Sequence, residues 1–376
     1  MMKINALRKN PALIKLELLV NGVNLTAKPI LDERDADEKF IYDNPVGKIK
    51  GLPSEIILPD NIVSNLYVSE KSNLRLDGKS ILYQDEKICD IKFTPESMFS
   101  KLSLPDGKSA RNILTMYGLD IVSLFLNKRC VYFNKGDECR FCSLNYNVDN
   151  LGKDNPLNPS LKNVTQTFRE AMRLDSSLFH YVLISSGAYN DPDRGILEQM
   201  KYIQAMREVD EGKIKYHLVT IPPKSRELLE MLARNGPDTI SFDIEVFNPA
   251  LFKKYCPGKD RQFTYDGWIK IIEESAKIFP RNKLKIGFVC GIEPLESLCE
   301  GMNFVAKKGI VPALNIFHPD KGTQMQKFPR PASEYVLEVL KEQNRLYKSE
   351  GLVPVFPEYG RRSSFDTEVY RGFFDG

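Results

Sequence analysis

Cys130, Cys139 and Cys142 stand within thirteen residues, in the stretch Arg-Cys-Val-Tyr-Phe-Asn-Lys-Gly-Asp-Glu-Cys-Arg-Phe-Cys. Thiolates are soft donors, and three so close together can grip a zinc ion or an iron–sulfur cluster. A structural zinc or a complete iron–sulfur site takes four protein ligands. Three leave one metal position open to an outside ligand, and an open position is where chemistry happens. Two plainer readings stand beside this one. A zinc site needs a fourth ligand, and His180, His217 and His318 are all remote in sequence. Incidental core cysteines would not cluster around a polar Asn-Lys-Gly-Asp-Glu turn.

The chain around this loop has the composition of an ordinary globular protein: 376 residues, 42% apolar and 27% charged. That length suits one α/β barrel with an appendage. Lys and Arg number 53 against 50 Asp and Glu, and the first 110 residues hold 16 of each sign. No basic lobe is present, which argues against a nucleic-acid partner. No apolar run approaches the ~18 residues needed to span a bilayer, and the first residues lack a signal core. Seven cysteines fit no disulfide framework. The expected home is a reducing cytoplasm with thiols free for metal.

Before residue 113 the chain shows short alternating runs punctuated by Asn21-Gly22, Asp77-Gly78 and Asp106-Gly107. Residues 18–25 and 74–83 read as hairpins, so 1–112 is expected to be a β-rich N-terminal domain. Residues 113–330 then alternate strand and helix. Strands are expected at 121–126, 181–184, 216–221, 239–246, 285–290 and 310–316, with helices between, one of them at 264–279. Ser225 reads as a helix N-cap and Gly236 as that helix's end. Six βα units in order make a parallel barrel, partial or full and TIM-like. Residues 331–376 are left to complete or cap it. Active sites of such barrels lie at the C-terminal strand ends, and the cysteine loop leaves the end of the 121–126 strand.

The cysteine loop resembles that of the radical S-adenosylmethionine (SAM) superfamily. Cys139-Arg140-Phe141-Cys142 keeps the second half of the signature, including the aromatic Phe141, while eight residues separate Cys130 from Cys139 instead of three. Later strand ends add to the likeness, in particular to the branch of biotin synthase, methylornithine synthase and the [FeFe]-hydrogenase maturases. The second strand closes on Ser185-Ser186-Gly187, where the family binds the methionyl amine of SAM on open backbone. The fourth gives Asp243-Ile244-Glu245, followed by Asn248-Pro249, with Glu245 as the carboxylate that meets SAM and Asp243 as the reserve. Arg261 is the guanidinium for the SAM carboxylate. The fifth carries Gly287 and Gly291, where adenine lies on backbone, and the sixth Phe317-His318-Pro319-Asp320-Lys321-Gly322-Thr323.

The resemblance implies a [4Fe–4S] cluster on Cys130, Cys139 and Cys142, with SAM on the fourth iron. It implies reductive cleavage of SAM and a 5′-deoxyadenosyl radical that takes hydrogen from a small-molecule or peptide substrate. A ferredoxin or flavodoxin would supply the electron. The same chemistry on a tRNA or a protein, and a zinc-stabilised non-catalytic barrel, are the alternatives. Cys256 is a candidate radical relay or hydrogen donor. Cys89, Cys290 and Cys299 form no second tight cluster with it, which argues against a dual-cluster sulfur-inserting enzyme.

Overall fold

The computed structural model describes residues 3–25, 55–94, 97–104, 107, 109–150 and 155–375. Between residues 114 and 316 the apolar runs become seven strands: β1 (Leu114–Tyr117), β2 (Ile121–Leu126), β3 (Tyr181–Ser186), β4 (Lys215–Val219), β5 (Thr239–Ser241), β6 (Leu284–Cys290) and β7 (Val311–Ile316). They build one sheet in the order β7-β6-β5-β4-β3-β2-β1. Strands β2 to β7 run parallel, and β1 folds back antiparallel on β2. Strand order follows chain order and helices fill the connections, so the sheet curls in the manner of a partial TIM barrel. The helix caps are those the sequence signals: Ser225 accepts the Leu228 N–H at 3.0 Å and Asn248 that of Leu251 at 3.1 Å.

The strand expected over 239–246 ends at Ser241, and the reason is local. The Asp243 carboxylate takes the Gly287 N–H at 2.7 Å, the bond a ladder carbonyl would otherwise accept. Gly287 has to be glycine for this, because a Cβ there would lie 2.4 Å from that carboxylate. Pairing resumes at Glu245, whose N–H donates to Gly287 O at 2.9 Å and whose carbonyl accepts from Val289 at 2.8 Å.

Ahead of the barrel lie two small sheets. Leu74–Asp77 and Ser80–Tyr83 form the expected hairpin, flanked by Glu86–Asp90 and Asn24–Leu25; Glu55–Leu58 pairs between Ile62–Asn65 and Lys92–Phe93. Residues 18–25 are not a hairpin. A helix, Pro11–Asn21, takes the first four of them. Asn10 accepts the Ala12 N–H as its cap, Pro11 opens it, and Gly22 closes it at φ 72° with its N–H on Leu18 O. Its Leu18-Leu19-Val20 run is buried on all sides, and such a run carries no period that separates helix from strand. The Asp106-Gly107 turn falls partly outside the described residues.

The C-terminal segment closes the open edge of the sheet. Ser363 O accepts from Ile316 N and Asp366 Oδ1 from Leu314 N, so residues 363–366 lie along β7 where an eighth strand would run. Helix Asp366–Tyr370 is fastened to helix Pro11–Asn21 by the Lys15–Glu368 ion pair, 2.6 Å long and 0% and 1% exposed. Among the described residues no helix is long and apolar enough to cross a membrane.

Candidate active site

A cavity of about 430 Å³ opens among the C-terminal strand ends, and Cys130, Cys139 and Cys142 all line it. The cysteine loop is stitched to the turn after β3. Gly187 N donates to Asn127 O at 3.1 Å, the Asn127 amide donates to Gly187 O and Ala188 O, and Val131 N donates to Ala188 O. Gly187 packs so tightly here that a Cβ would fall 2.7–2.8 Å from the main chain of Asn127 and Cys130. The eight residues between Cys130 and Cys139 have a place of their own. They form a turn and the short 3-10 helix Phe133–Lys135, and they lay the Tyr132 ring on Gly258, where a Cβ would clash at 2.5 Å. Asp137 O then accepts the Gly258 N–H, and Tyr255 O accepts that of Arg140. The long gap is thus an extension that docks the cysteine loop on helix Pro257–Phe263.

Burial pushes the Cys130 thiol up to about 11 and raises that of Cys142 well above its ordinary value. Cys139 is held lower, first by a hydrogen bond from the Cys256 thiol and then, against burial, by the Lys259 ammonium. Cys256 itself is fully buried and stands behind Cys139. The three lining sulfurs do not all come within 4.8 Å of one another. A tetrahedral zinc with ~2.3 Å bonds would draw them to ~3.8 Å. Three cysteines that line one cavity without closing to zinc-bond spacing leave room for a larger cluster between them.

Glu245 lines the cavity beside them at φ 73°, a left-handed backbone rare outside glycine that costs on the order of 1–3 kcal/mol. Burial raises its carboxyl, which accepts from Lys259 Nζ at 2.9 Å. Burial is the largest influence on the Lys259 charge and works against it, but Glu245, Cys139 and Cys256 together outweigh it and hold the ammonium above the usual lysine range. Lys259 also donates to Asp243 O, tying both strand-end acids to helix Pro257–Phe263. Ser186 Oγ accepts from the buried Gln199 amide at 2.7 Å, and Gln199 Oε1 accepts from Thr220, another lining residue.

Across the cavity His318 stacks on Tyr67 at 4.1 Å between centroids. Its Nε2 meets the Arg330 guanidinium at 2.8 Å, and a guanidinium only donates, so Nε2 accepts and Nδ1–H donates to Asp320 at 2.7 Å. Burial holds this imidazole below its ordinary pKa, in keeping with the neutral form.

Phe141, Ser186, Gly187, Asp243, Glu245 and Phe317 therefore share one cavity with the three cysteines. Arg261 does not join them. It bonds Asp137 at 2.6 Å and is 43% exposed, because two residues past Lys259 on a helix is about 200° round, the far face. Gly291 stands at the end of β6 at φ 110°, where a Cβ would meet Pro331, outside the cavity lining. The structure adds Lys259, Tyr67, Lys285, Arg361 and Arg362, which no local motif marks.

Residues 129–304, just under half of the chain, match the family model of the Radical SAM superfamily. The cofactors of the family are a [4Fe–4S] cluster and SAM. The bacteriochlorophyllide c C-7(1)-hydroxylase of Chlorobaculum limnaeum is 25% identical over 240 residues, 61% of this chain and 60% of the relative. The chain thus spans about three fifths of that protein's length. Among solved structures it resembles methylornithine synthase, at 16% identity and TM-score 0.43 over 62% of this chain and 63% of that one. It also resembles a radical SAM methyltransferase from Sphaerobacter thermophilus, at 14% identity and TM-score 0.45 over 67% and 70%.

Proposed function

We propose that this chain binds a three-cysteine [4Fe–4S] cluster and SAM in the cavity and transforms a small organic substrate there. The observation that carries the reading is the convergence of Cys130, Cys139 and Cys142 with Glu245 and the Ser186–Gly187 turn on one pocket. When bound, the cluster and SAM would supply a one-electron cleavage of the sulfonium and a 5′-deoxyadenosyl radical able to take hydrogen from a neighbouring molecule. The three cysteines would hold the metal, and the buried thiol of Cys256 would donate to the sulfur of Cys139 from behind. Glu245, fixed by Lys259, would accept from a polar group of SAM, and the backbone at Ser186–Gly187 would lie beside its amino end. The neutral His318, clamped by Asp320 and Arg330, would form a fixed wall opposite.

A cavity of about 430 Å³ falls in the range of small-molecule sites, ~300–1,000 Å³, which favours a small substrate over a tRNA or a folded protein. The relative's name assigns it the hydroxylation of a bacteriochlorophyllide; a hydroxylation or other oxidation of a small molecule is the outcome to test first. Anaerobic reconstitution with iron and sulfide, followed by SAM and dithionite, should give visible cluster absorbance and 5′-deoxyadenosine. Protein that takes up one zinc and no iron, or that releases no 5′-deoxyadenosine, refutes the reading. Electrons from a reduced ferredoxin or flavodoxin in place of dithionite would test the expected donors.

A further inference from the structure

Most of the charge around the cavity is answered by a partner. Lys259 is paired with Glu245, Arg361 with Asp366 and Arg362 with Glu55, while Asp320 is held by His318 and Ser143. Lys285 is different. It stands on β6 facing the cavity, with only 4% of its surface exposed, and among the described residues its ammonium has no hydrogen bond and no ion pair. Its Nζ opens on the cavity and feels the Asp366, Asp243 and Glu245 charges without bonding to them, so all three of its donors are left for a bound group. Burial, followed by the neighbouring Arg361 guanidinium, brings Lys285 down to about 8, which leaves it mostly charged at neutral pH. Arg361 lines the same cavity and spends only part of its donor fork on Asp366, at 3.1 Å.

The Lys285 backbone starts deeper in the barrel than the cysteine level, while its ammonium stays within electrostatic reach of the Asp243 and Glu245 carboxylates. Val289, four residues further along β6, bonds Glu245 at the cysteine side. At ~3.3 Å per residue the Lys285 backbone lies ~13 Å below that level.

We infer that Lys285 and Arg361 form a subsite for an anionic group, a carboxylate or a phosphate, carried by the substrate. This deepens the proposed function and rests on it. An ammonium and a planar guanidinium on one cavity could share the oxygens of one anion, which would give Lys285 the partner it lacks.

The test uses anaerobically reconstituted full-length protein and three probes: benzoate, phenyl phosphate and the neutral benzamide, with binding followed by calorimetry. The wild type should bind one or both anions and not benzamide, and the preferred anion identifies the group. Lys285→Met should weaken anion binding by about 10- to 100-fold, the worth of one charged hydrogen bond, and Lys285→Arg should retain most of it. Benzamide binding as tightly as benzoate, or undiminished anion binding by Lys285→Met, overturns the inference. So does an equal loss of SAM affinity in Lys285→Met, which would assign the ammonium to SAM instead. If Lys285→Met does not fold, the benzoate–benzamide comparison on the wild type still decides. Anion binding by a protein that fails to cleave SAM would leave the subsite standing and remove the functional reading alone.

Discussion

Replacing Gly187 by alanine tests how the cysteine loop is held. The added methyl would lie 2.7 Å from Asn127 O and 2.8 Å from both N and Cα of Cys130, where ordinary contact begins at 3.4 Å. The shortfall is about 0.7 Å, and all three atoms are main chain, so no side-chain rotation relieves it. Relief requires the seam between the loop and the β3 turn to open. Four hydrogen bonds cross that seam, from Gly187 N, from Val131 N and two from the Asn127 amide. Losing one or two of them at ~1 kcal/mol each, on top of ~1–3 kcal/mol for overpacking, gives a cost of about 2–5 kcal/mol. The displacement falls on Cys130 itself. Iron and sulfide per chain after anaerobic reconstitution should therefore fall below wild type, together with the melting temperature. Gly136→Ala in the same loop is the control: a Cβ there meets nothing within 4 Å, so its cost is the left-handed backbone at φ 68° alone, ~1–2 kcal/mol. Gly187→Ala protein with wild-type iron content and melting would refute the reasoning.

Three further outcomes are expected. Lys15→Met strands the Glu368 carboxylate in the core and should cost about 3–5 kcal/mol, read as a lower melting temperature, while Lys15→Met/Glu368→Leu recovers most of it. Cys256→Ala should keep its iron, whereas Ala at Cys130, Cys139 or Cys142 should lose it; loss of the Cys256 hydrogen bond should move the cluster potential to more negative values in a spectroelectrochemical titration. Asp120, whose carboxyl burial raises from 3.8 to about 6, binds its proton more tightly folded than unfolded. The stability this adds is full below pH ~4 and is lost as pH rises through ~6, ~3 kcal/mol in all, so melting of Asp120→Asn should vary less with pH over that range.

The barrel was legible because its strands come in chain order, each an apolar run closed by a turn residue. The site was legible where chemistry-bearing residues sit at strand ends: Ser186, Gly187, Asp243 and Glu245 all reach the cysteine cavity. Legibility failed where placement depends on distant chain. The Leu18-Leu19-Val20 run has no period, and only its contacts with the core and the C-terminal helices select helix. Arg261 carries the right guanidinium for a carboxylate, but helical rotation turns it to Asp137 while the unremarked Lys259 faces inward. Lys285, Arg361 and Tyr67 come from three separate parts of the chain, and no spacing links them.

The strip at residues 363–366 along β7, with Lys15 gripping Glu368, also sets an order of assembly. The parallel sheet can form as its strands emerge, yet its open edge stays unsealed until a strip 52 positions past Leu314 has been made, and that strip is anchored only when Glu368 meets Lys15, 353 positions away. Contacts of such sequence separation come late, because loop closure has to precede any gain from them. During synthesis the three thiols therefore pass through a stage in which their pocket is open at the side. Delivery of metal to that half-built form and delivery to the finished protein are different tasks, and the first meets less obstruction.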